Sequence, residues 1–72
     1  MIVIDKNGER HSVFRSLDQQ KRTVLVMGKL SPVEPVVRLA IASGSNPDLW
    51  HILGSAAVSF DEVLKYYELT EV

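Results

Sequence analysis

The sequence predicts an α+β domain in which an N-terminal β-hairpin and a third strand pack against two to three short C-terminal helices. Three observations indicate this fold class: an Asn-Gly pair between two strand-like runs, a short branched apolar run at 22–28, and repeated helix-start signals after residue 30. A chain of 72 residues has room for one hydrophobic core, so we expect a single small domain spanning 1–72.

The hairpin prediction covers residues 2–14. The runs "IVID" and "ERHSVF" flank "KNG", and an Asn-Gly pair readily adopts the positive φ angles that tight hairpin turns require. A two-stranded ribbon is seldom stable alone, and "RTVLVMG" at 22–28 is the natural third strand. Ser16 and Gln19 have the spacing of a capping box, which could start a helix at Leu17. We take the strand for 22–28 and allow a helical turn before it, although the sequence alone does not decide between strand and helix here.

A first helix is predicted from Pro32 to Gly44. Ser31 and Glu34 have the spacing of a capping box, Pro32 takes the first helical position, and Gly44 can close the C-terminus. Apolar residues recur at the helical spacing i, i+3, i+4, i+7 and i+8, namely Val33, Val36, Val37, Ala40 and Ile41. A strand is the alternative, because alternation places three apolar residues on one face: Val37, Leu39 and Ile41.

A second helix is predicted to begin near Pro47. Asn46 can act as its N-cap, Pro47 presets the backbone angle, and Asp48 lies where the helix dipole favours negative charge. Gly54 is a natural stop for this helix, because glycine in a helix interior costs about 1 kcal/mol.

A third helix is predicted over about residues 60–69. Ser59 and Glu62 form another capping box at its start. The apolar residues of 49–67 also follow a 4, 3, 4, 3, 4 spacing, which suits one long helix with a heptad seam. We favour the break into two helices, and strand or helix stays open for 55–59.

The composition is that of a protein that folds, with 46% hydrophobic and 24% charged residues. The chain contains no cysteine, which excludes disulfides, zinc sites built on thiolates and cysteine nucleophiles. No apolar run approaches the roughly 18 residues of a membrane span. We expect a cytoplasmic protein without membrane contact.

The net charge of −1 conceals a gradient along the chain. Residues 1–29 carry six Lys or Arg against three Asp or Glu, a net of +3, and residues 30–72 carry two against six, a net of −4. Segregated charge of this kind suits a complementary interface, either with a second copy of the chain or with a charged partner.

The motifs of common enzyme classes are missing from the sequence. Its four glycines form neither a nucleophile elbow nor a phosphate loop nor a dinucleotide fingerprint. The two histidines, His11 and His51, lie in different predicted elements and have no partner at metal-ligand spacing. We therefore expect no catalysis, no cofactor and no metal.

Protein binding is the leading functional hypothesis. The protein would act as a regulator, an inhibitor or an assembly subunit by occupying a partner surface, and a homodimer is one form of this. Tryptophan and tyrosine are enriched at binding hot spots, and the predicted interaction residues are Trp50, Val58, Tyr66 and Glu62. Trp50 could instead close the edge of the small core, and core and interface both stay open for it.

Nucleic-acid binding is the second hypothesis. Residues 32–54 would form a helix-turn-helix-like segment, since the predicted turn is short and contains glycine. The start of the second helix carries Asp48 and no cation, so the phosphate contacts would have to come from the basic N-terminal half. Those contacts would be Lys6, Arg10, Arg15, Lys21, Arg22 and Lys29.

Overall fold

The computed structural model describes residues 1–29, 36–44 and 46–72, which form one bent antiparallel sheet, a half-barrel, and a short helix. The elements are β1 (Ile2–Ile4), β2 (Arg10–Leu17), β3 (Thr23–Gly28), β4 (Val37–Ser43), β5 (Asn46–His51), β6 (Ala57–Ser59), α1 (Phe60–Tyr66) and β7 (Thr70–Glu71). The strand order is β6-β5-β4-β3-β2-β1-β7, so the last strand returns to pair with the first.

The predicted N-terminal hairpin is present as β1 and β2. Its turn contains Gly8 at a φ of 82°, and the carboxylate of Asp5 accepts the backbone N–H groups of Asn7 at 2.8 Å and Glu9 at 2.9 Å. Glycine accommodates the positive φ without strain. The segment 22–28 is a strand for almost its whole length, as β3, and it pairs with β2.

The predicted fold class, α+β with two to three helices, is wrong. Residues 37–43 and 46–51 form β4 and β5, so neither the first nor the second predicted helix exists in the described chain, and the helix-turn-helix-like segment 32–54 is lost with them. Residues 57–59 form β6, which also rules out one long helix. The capping box of Ser31 and Glu34, with Pro32, lies outside the described residues.

Strand pairing explains the correction. The strand alternative at 37–43 prevails because β3 and β5 flank this segment and satisfy its backbone groups on both sides. Pro47 lies near the start of β5, ahead of the residues that pair with β6, where a missing N–H is tolerated.

A β-bulge between β3 and β4 shapes the sheet. Leu25 pairs with Ala40 and the next residue, Val26, pairs with Arg38, so Leu39 is the extra residue. Leu39 and Ala40 are both buried, because a bulge turns two consecutive side chains towards the same face and bends the strand. The Tyr67 hydroxyl donates to the Leu39 carbonyl at 2.7 Å, which satisfies an acceptor of the bulged residue.

The helix α1 begins where the capping box of Ser59 and Glu62 predicts. The Ser59 hydroxyl accepts the Glu62 backbone N–H at 3.3 Å, and two acidic residues occupy the first turn. The helix is shorter than predicted. It ends at Tyr66, and the chain then turns through Glu68, whose φ is 56°.

The core lies between the sheet and α1. We call the face of the sheet that α1 covers the inner face. Its buried residues, together with those of α1 and the following turn, are Val3, Val13, Leu25, Leu39, Ala40, Trp50, Ile52, Val63, Leu64 and Leu69. Trp50 is the largest of these and is 1% exposed. In the described part of the chain, no helix is long and apolar enough to cross a membrane.

Candidate anion-binding site

A cavity lined by two arginines lies where the β2–β3 hairpin meets the β4–β5 turn. Its volume is about 530 Å³, within the range of about 300–1,000 Å³ that is usual for ligand sites. The lining residues are Arg15, Arg22, Thr23, Ile41, Ala42, Ser43, Gly44 and Pro47. We call this the arginine cavity.

Arg15 reaches the cavity from the inner face. Its partner across the strands is Leu25, and it lies two residues after the buried Val13, so strand alternation gives its side chain the same side as the core. The guanidinium carbon lies 5.3 Å from the centroid of the Trp50 ring, a cation–π contact. Within residues 1–29, 36–44 and 46–72, no carboxylate forms an ion pair with Arg15. Its N–H donors therefore remain available to a ligand.

Arg22 is held by the turn that precedes it. Its Nε donates to the Asp18 carboxylate at 2.8 Å, and the same carboxylate accepts the backbone N–H groups of Gln20 at 2.9 Å and Arg22 at 2.8 Å. These bonds, led by the Arg22 backbone N–H, lower the pKa of Asp18, which is therefore ionised at neutral pH. The arrangement fixes the stem of Arg22 at the cavity edge.

The rest of the lining combines hydroxyl and apolar groups. Thr23 supplies a hydroxyl, which can donate or accept a hydrogen bond, and Ser43 is a second hydroxyl residue that already takes part in an interaction. Ile41, Ala42 and Pro47 form an apolar wall. The described lining includes neither a histidine nor a carboxylate, so the groups suit binding of an anion better than acid–base or metal chemistry.

Trp50 has a second unusual feature beside the cavity. Its indole Nε1–H is buried and has no hydrogen-bond partner among the described residues. Trp50 pairs with Ala42, which lines the cavity. The unpaired indole N–H therefore belongs to a residue of the core that adjoins the arginine cavity. Buried donors are nearly always satisfied, which makes this edge of the core atypical.

The six predicted nucleic-acid contacts divide into two groups. Lys6, Arg10 and Lys29 lie at the β1–β2 turn end of β2, whereas Arg15, Lys21 and Arg22 lie towards its other end. The eight residues of β2 separate the two ends by roughly 20 Å. The helix-turn-helix-like geometry that would have used all six together is absent.

The four predicted protein-interaction residues do not form one surface. Trp50 is in the core, and Val58 is half-buried and packs against that core opposite Trp50. Tyr66 is 66% exposed and Glu62 is exposed, both on α1. The surface proposed from sequence is therefore reduced to the two residues on the helix.

A third cluster was missed from sequence. Oxygen and nitrogen atoms of Asp5, Glu9 and His11 lie within 4.8 Å of one another in the β1–β2 hairpin. His11 is 7% exposed and its Nε2 is 2.7 Å from Asp5, a contact that is the main cause of the lowered pKa of Asp5. Lys29 Nζ lies 3.5 Å from the Glu9 carboxylate. One sequence signal could have revealed this cluster. Glu9 follows Asp5 by four residues and His11 follows Glu9 by two, across a predicted hairpin turn.

These contacts explain the cluster as part of the hairpin. Asp5 caps the turn with one oxygen and binds His11 with the other, so both side chains are satisfied within the fold.

No protein-family model matches the chain, no curated protein is significantly similar to it, and no solved structure matches its fold at a significant level.

Proposed function

We propose that this protein binds a phosphate-bearing ligand in the arginine cavity, without catalysing a reaction. The observation that carries the proposal is the Arg15 guanidinium, which stacks on the buried Trp50 and has no carboxylate partner in the described chain. A second guanidinium, that of Arg22, lines the same cavity.

The chemistry of arginine supports an oxyanion as the ligand. A guanidinium presents five N–H donors in a planar fork that matches the oxygens of phosphate or carboxylate, and charge-assisted hydrogen bonds are stronger than neutral ones. Stacking on Trp50 restricts the orientation of Arg15 before a ligand arrives. Such preorganisation improves affinity because less conformational entropy is lost on binding.

The charge around the cavity favours the same ligand class. Arg15 and Arg22 line it, and the exposed Lys21 lies in the adjoining turn. Asp18, the acid bonded to Arg22, already accepts three hydrogen bonds, two from the backbone and one from Arg22. The exposed Asp48 follows the lining residue Pro47 but does not itself line the cavity. The Arg22–Asp18 pair is close to neutral, and Arg15 supplies the uncompensated positive charge.

The test is a titration with inorganic phosphate, followed by the fluorescence of Trp50, the only tryptophan, at constant ionic strength. Arg15→Gln should weaken binding at least tenfold, because a hydrogen bond to a charged group contributes about 1.5–3 kcal/mol. Arg10→Gln is the matched control, since Arg10 is an exposed arginine of the same strand at its far end. Equal affinities for the wild type and Arg15→Gln would show that phosphate is not held in this cavity.

Protein binding is the second candidate, favoured by Tyr66. This exposed ring packs edge-on against Tyr67, with centroids 5.0 Å apart, and so presents an ordered aromatic side chain on α1. The helix α1 and the residues after it contain one basic residue, Lys65, and four acidic residues: Asp61, Glu62, Glu68 and Glu71. The occupant we propose is a second copy, whose cationic cavity edge complements this acidic side.

Sedimentation equilibrium at low and moderate salt tests this candidate. A dimer or larger species that dissociates as salt rises, and that is lost in Tyr66→Ala, is the expected result. A monomer at every protein and salt concentration would contradict this candidate function.

A further inference from the structure

The arginine cavity continues into two neighbours. A cavity of about 310 Å³ shares Arg15 and Thr23 with it, and a cavity of about 280 Å³ shares Arg22 with it. The smaller of the two neighbours is also lined by Arg38, a residue of β4 that the sequence did not single out. Three concavities in a row are thus joined by arginine side chains.

Positive charge predominates along this row. Arg15, Arg22 and Arg38 line it, and Asp18 is the only acid among its described lining residues. Asp18 is bonded to Arg22. No described carboxylate forms an ion pair with Arg38. A single phosphate in the arginine cavity would leave Arg38 unused, whereas a chain of phosphates can contact all three arginines.

We propose that the ligand is a single-stranded nucleic acid, whose phosphodiester backbone follows this row from Arg15 to Arg38; this inference rests on the proposed function. Grooves that track a single strand combine a line of cations with aromatic surfaces on which bases stack. DNA and RNA share the phosphodiester chemistry that the arginines recognise, so both belong in the test.

The outer face of the sheet, opposite to the face on which Arg15 lies, supplies an aromatic side chain in the same cross-strand row as Arg38. Phe14 pairs with Val26, and Val26 pairs with Arg38, so the three residues form one row across β2, β3 and β4. Two strand spacings separate Phe14 from Arg38, about 10 Å. Phe14 is 43% exposed, which leaves part of its ring open to a base.

A duplex fits the described surface poorly. The only helix in the described chain, α1, is seven residues long and carries Asp61 and Glu62 in its first turn, so it repels phosphates where a groove-reading helix attracts them. The cations instead surround concavities, which suits a flexible strand.

The experiment measures binding of fluorescein-labelled 12-nucleotide oligothymidylate and oligouridylate by anisotropy, with inorganic phosphate and a duplex of equal length as comparisons. A single strand should bind at least tenfold more tightly than inorganic phosphate. The logarithm of its affinity should fall with the logarithm of salt concentration with a slope of about −2, as three phosphate contacts predict.

Two variants separate the parts of the row. Arg38→Gln should weaken oligonucleotide binding and reduce the salt slope by about 0.7, while binding of inorganic phosphate stays unchanged. Phe14→Leu keeps an apolar side chain without a flat ring, so it should weaken oligonucleotide binding roughly tenfold with the slope unchanged. Arg10→Gln is again the control, and circular dichroism establishes that each variant folds.

The outcomes distinguish this inference from the proposed function. If inorganic phosphate binds and the oligonucleotide binds no more tightly, or if Arg38→Gln has no effect on the oligonucleotide, the inference is wrong and the proposed function stands. If neither ligand binds, both are wrong. A duplex that binds as tightly as the single strand also overturns the inference.

Discussion

Replacing Tyr67 with Phe should destabilise the fold by about 1–3 kcal/mol. The lost bond joins the Tyr67 hydroxyl to the carbonyl of Leu39, the unpaired residue of the β3–β4 bulge, at 2.7 Å. Leu39 is 2% exposed and Tyr67 is half-buried, so the bond is partly shielded from water. Removing one partner of such a hydrogen bond leaves the other less well solvated, which gives the magnitude. For a domain of this size, each kcal/mol lowers Tm by about 4–8 °C.

Urea denaturation followed by Trp50 fluorescence is the assay, and Tyr66→Phe is the control. Tyr66 is 66% exposed, so the loss of its hydroxyl should change the free energy of unfolding by less than about 0.5 kcal/mol. The slope of the free energy of unfolding against urea concentration should be the same in both variants, because both expose the same surface on unfolding. Equal stability of the two variants would refute the role assigned to the bulge contact.

Three other predictions follow from the fold. Trp50→Ala should lower the free energy of unfolding by about 3–5 kcal/mol, a large part of the roughly 4–11 kcal/mol expected for 72 residues, and circular dichroism should show a much lower Tm. Ser59→Ala should cost about 1 kcal/mol in urea denaturation through loss of the α1 cap, with little effect on phosphate binding. The hydrogen bond from His11 is the main reason why the pKa of Asp5 is lower than its ordinary value of 3.8. Ionised Asp5 therefore stabilises the fold at pH values above 3.8, and this stabilisation is lost as the pH falls through the lowered pKa. The stability difference between the wild type and Asp5→Asn should therefore shrink between pH 5 and pH 2.5, and a constant difference would contradict the assignment.

Local signals in the sequence predicted the parts of the fold that local chemistry determines. The Asn-Gly pair marked the turn of the β1–β2 hairpin, where Gly8 has a positive φ. The capping box of Ser59 and Glu62 marked the start of α1 to the residue. In each case a few adjacent residues are sufficient to satisfy the backbone groups involved, so no tertiary information was needed.

The segment that became β4 misled the prediction because of its bulge. A regular strand alternates inward and outward residues, but the bulge places Leu39 and Ala40 inward together. Two adjacent inward residues disturb the alternation on which the strand alternative relied. The helical spacing that was favoured instead joined the exposed Val36 and Val37 to the buried Ala40. The prolines and small polar residues before the two predicted helices suit strand starts equally well, so they could not decide between the two.

The candidate site depends on strand register, which the sequence does not specify. Arg15 and Arg22 were among the predicted phosphate contacts, but nothing separated them from the cations at the other end of β2. The sequence left open whether Trp50 belongs to the core or to an interface. In the sheet it pairs with Ala42 and Val58 and lies in the core, below Arg15.

The contact between Arg15 and Trp50 connects binding with the stability of the core. The cation–π contact of the exposed Arg15 with the buried Trp50 contributes about 0.5–2 kcal/mol, whereas a carboxylate placed beside Arg15 would have added an ion pair and neutralised its charge. The sequence contains nine acidic residues, yet none of those in the described part of the chain pairs with Arg15. Four of these acids lie instead in α1 and the residues after it. A fold of marginal stability thus leaves an arginine without a counter-ion against its largest buried side chain, which is the arrangement a binding site for an anion requires and a purely structural arginine does not.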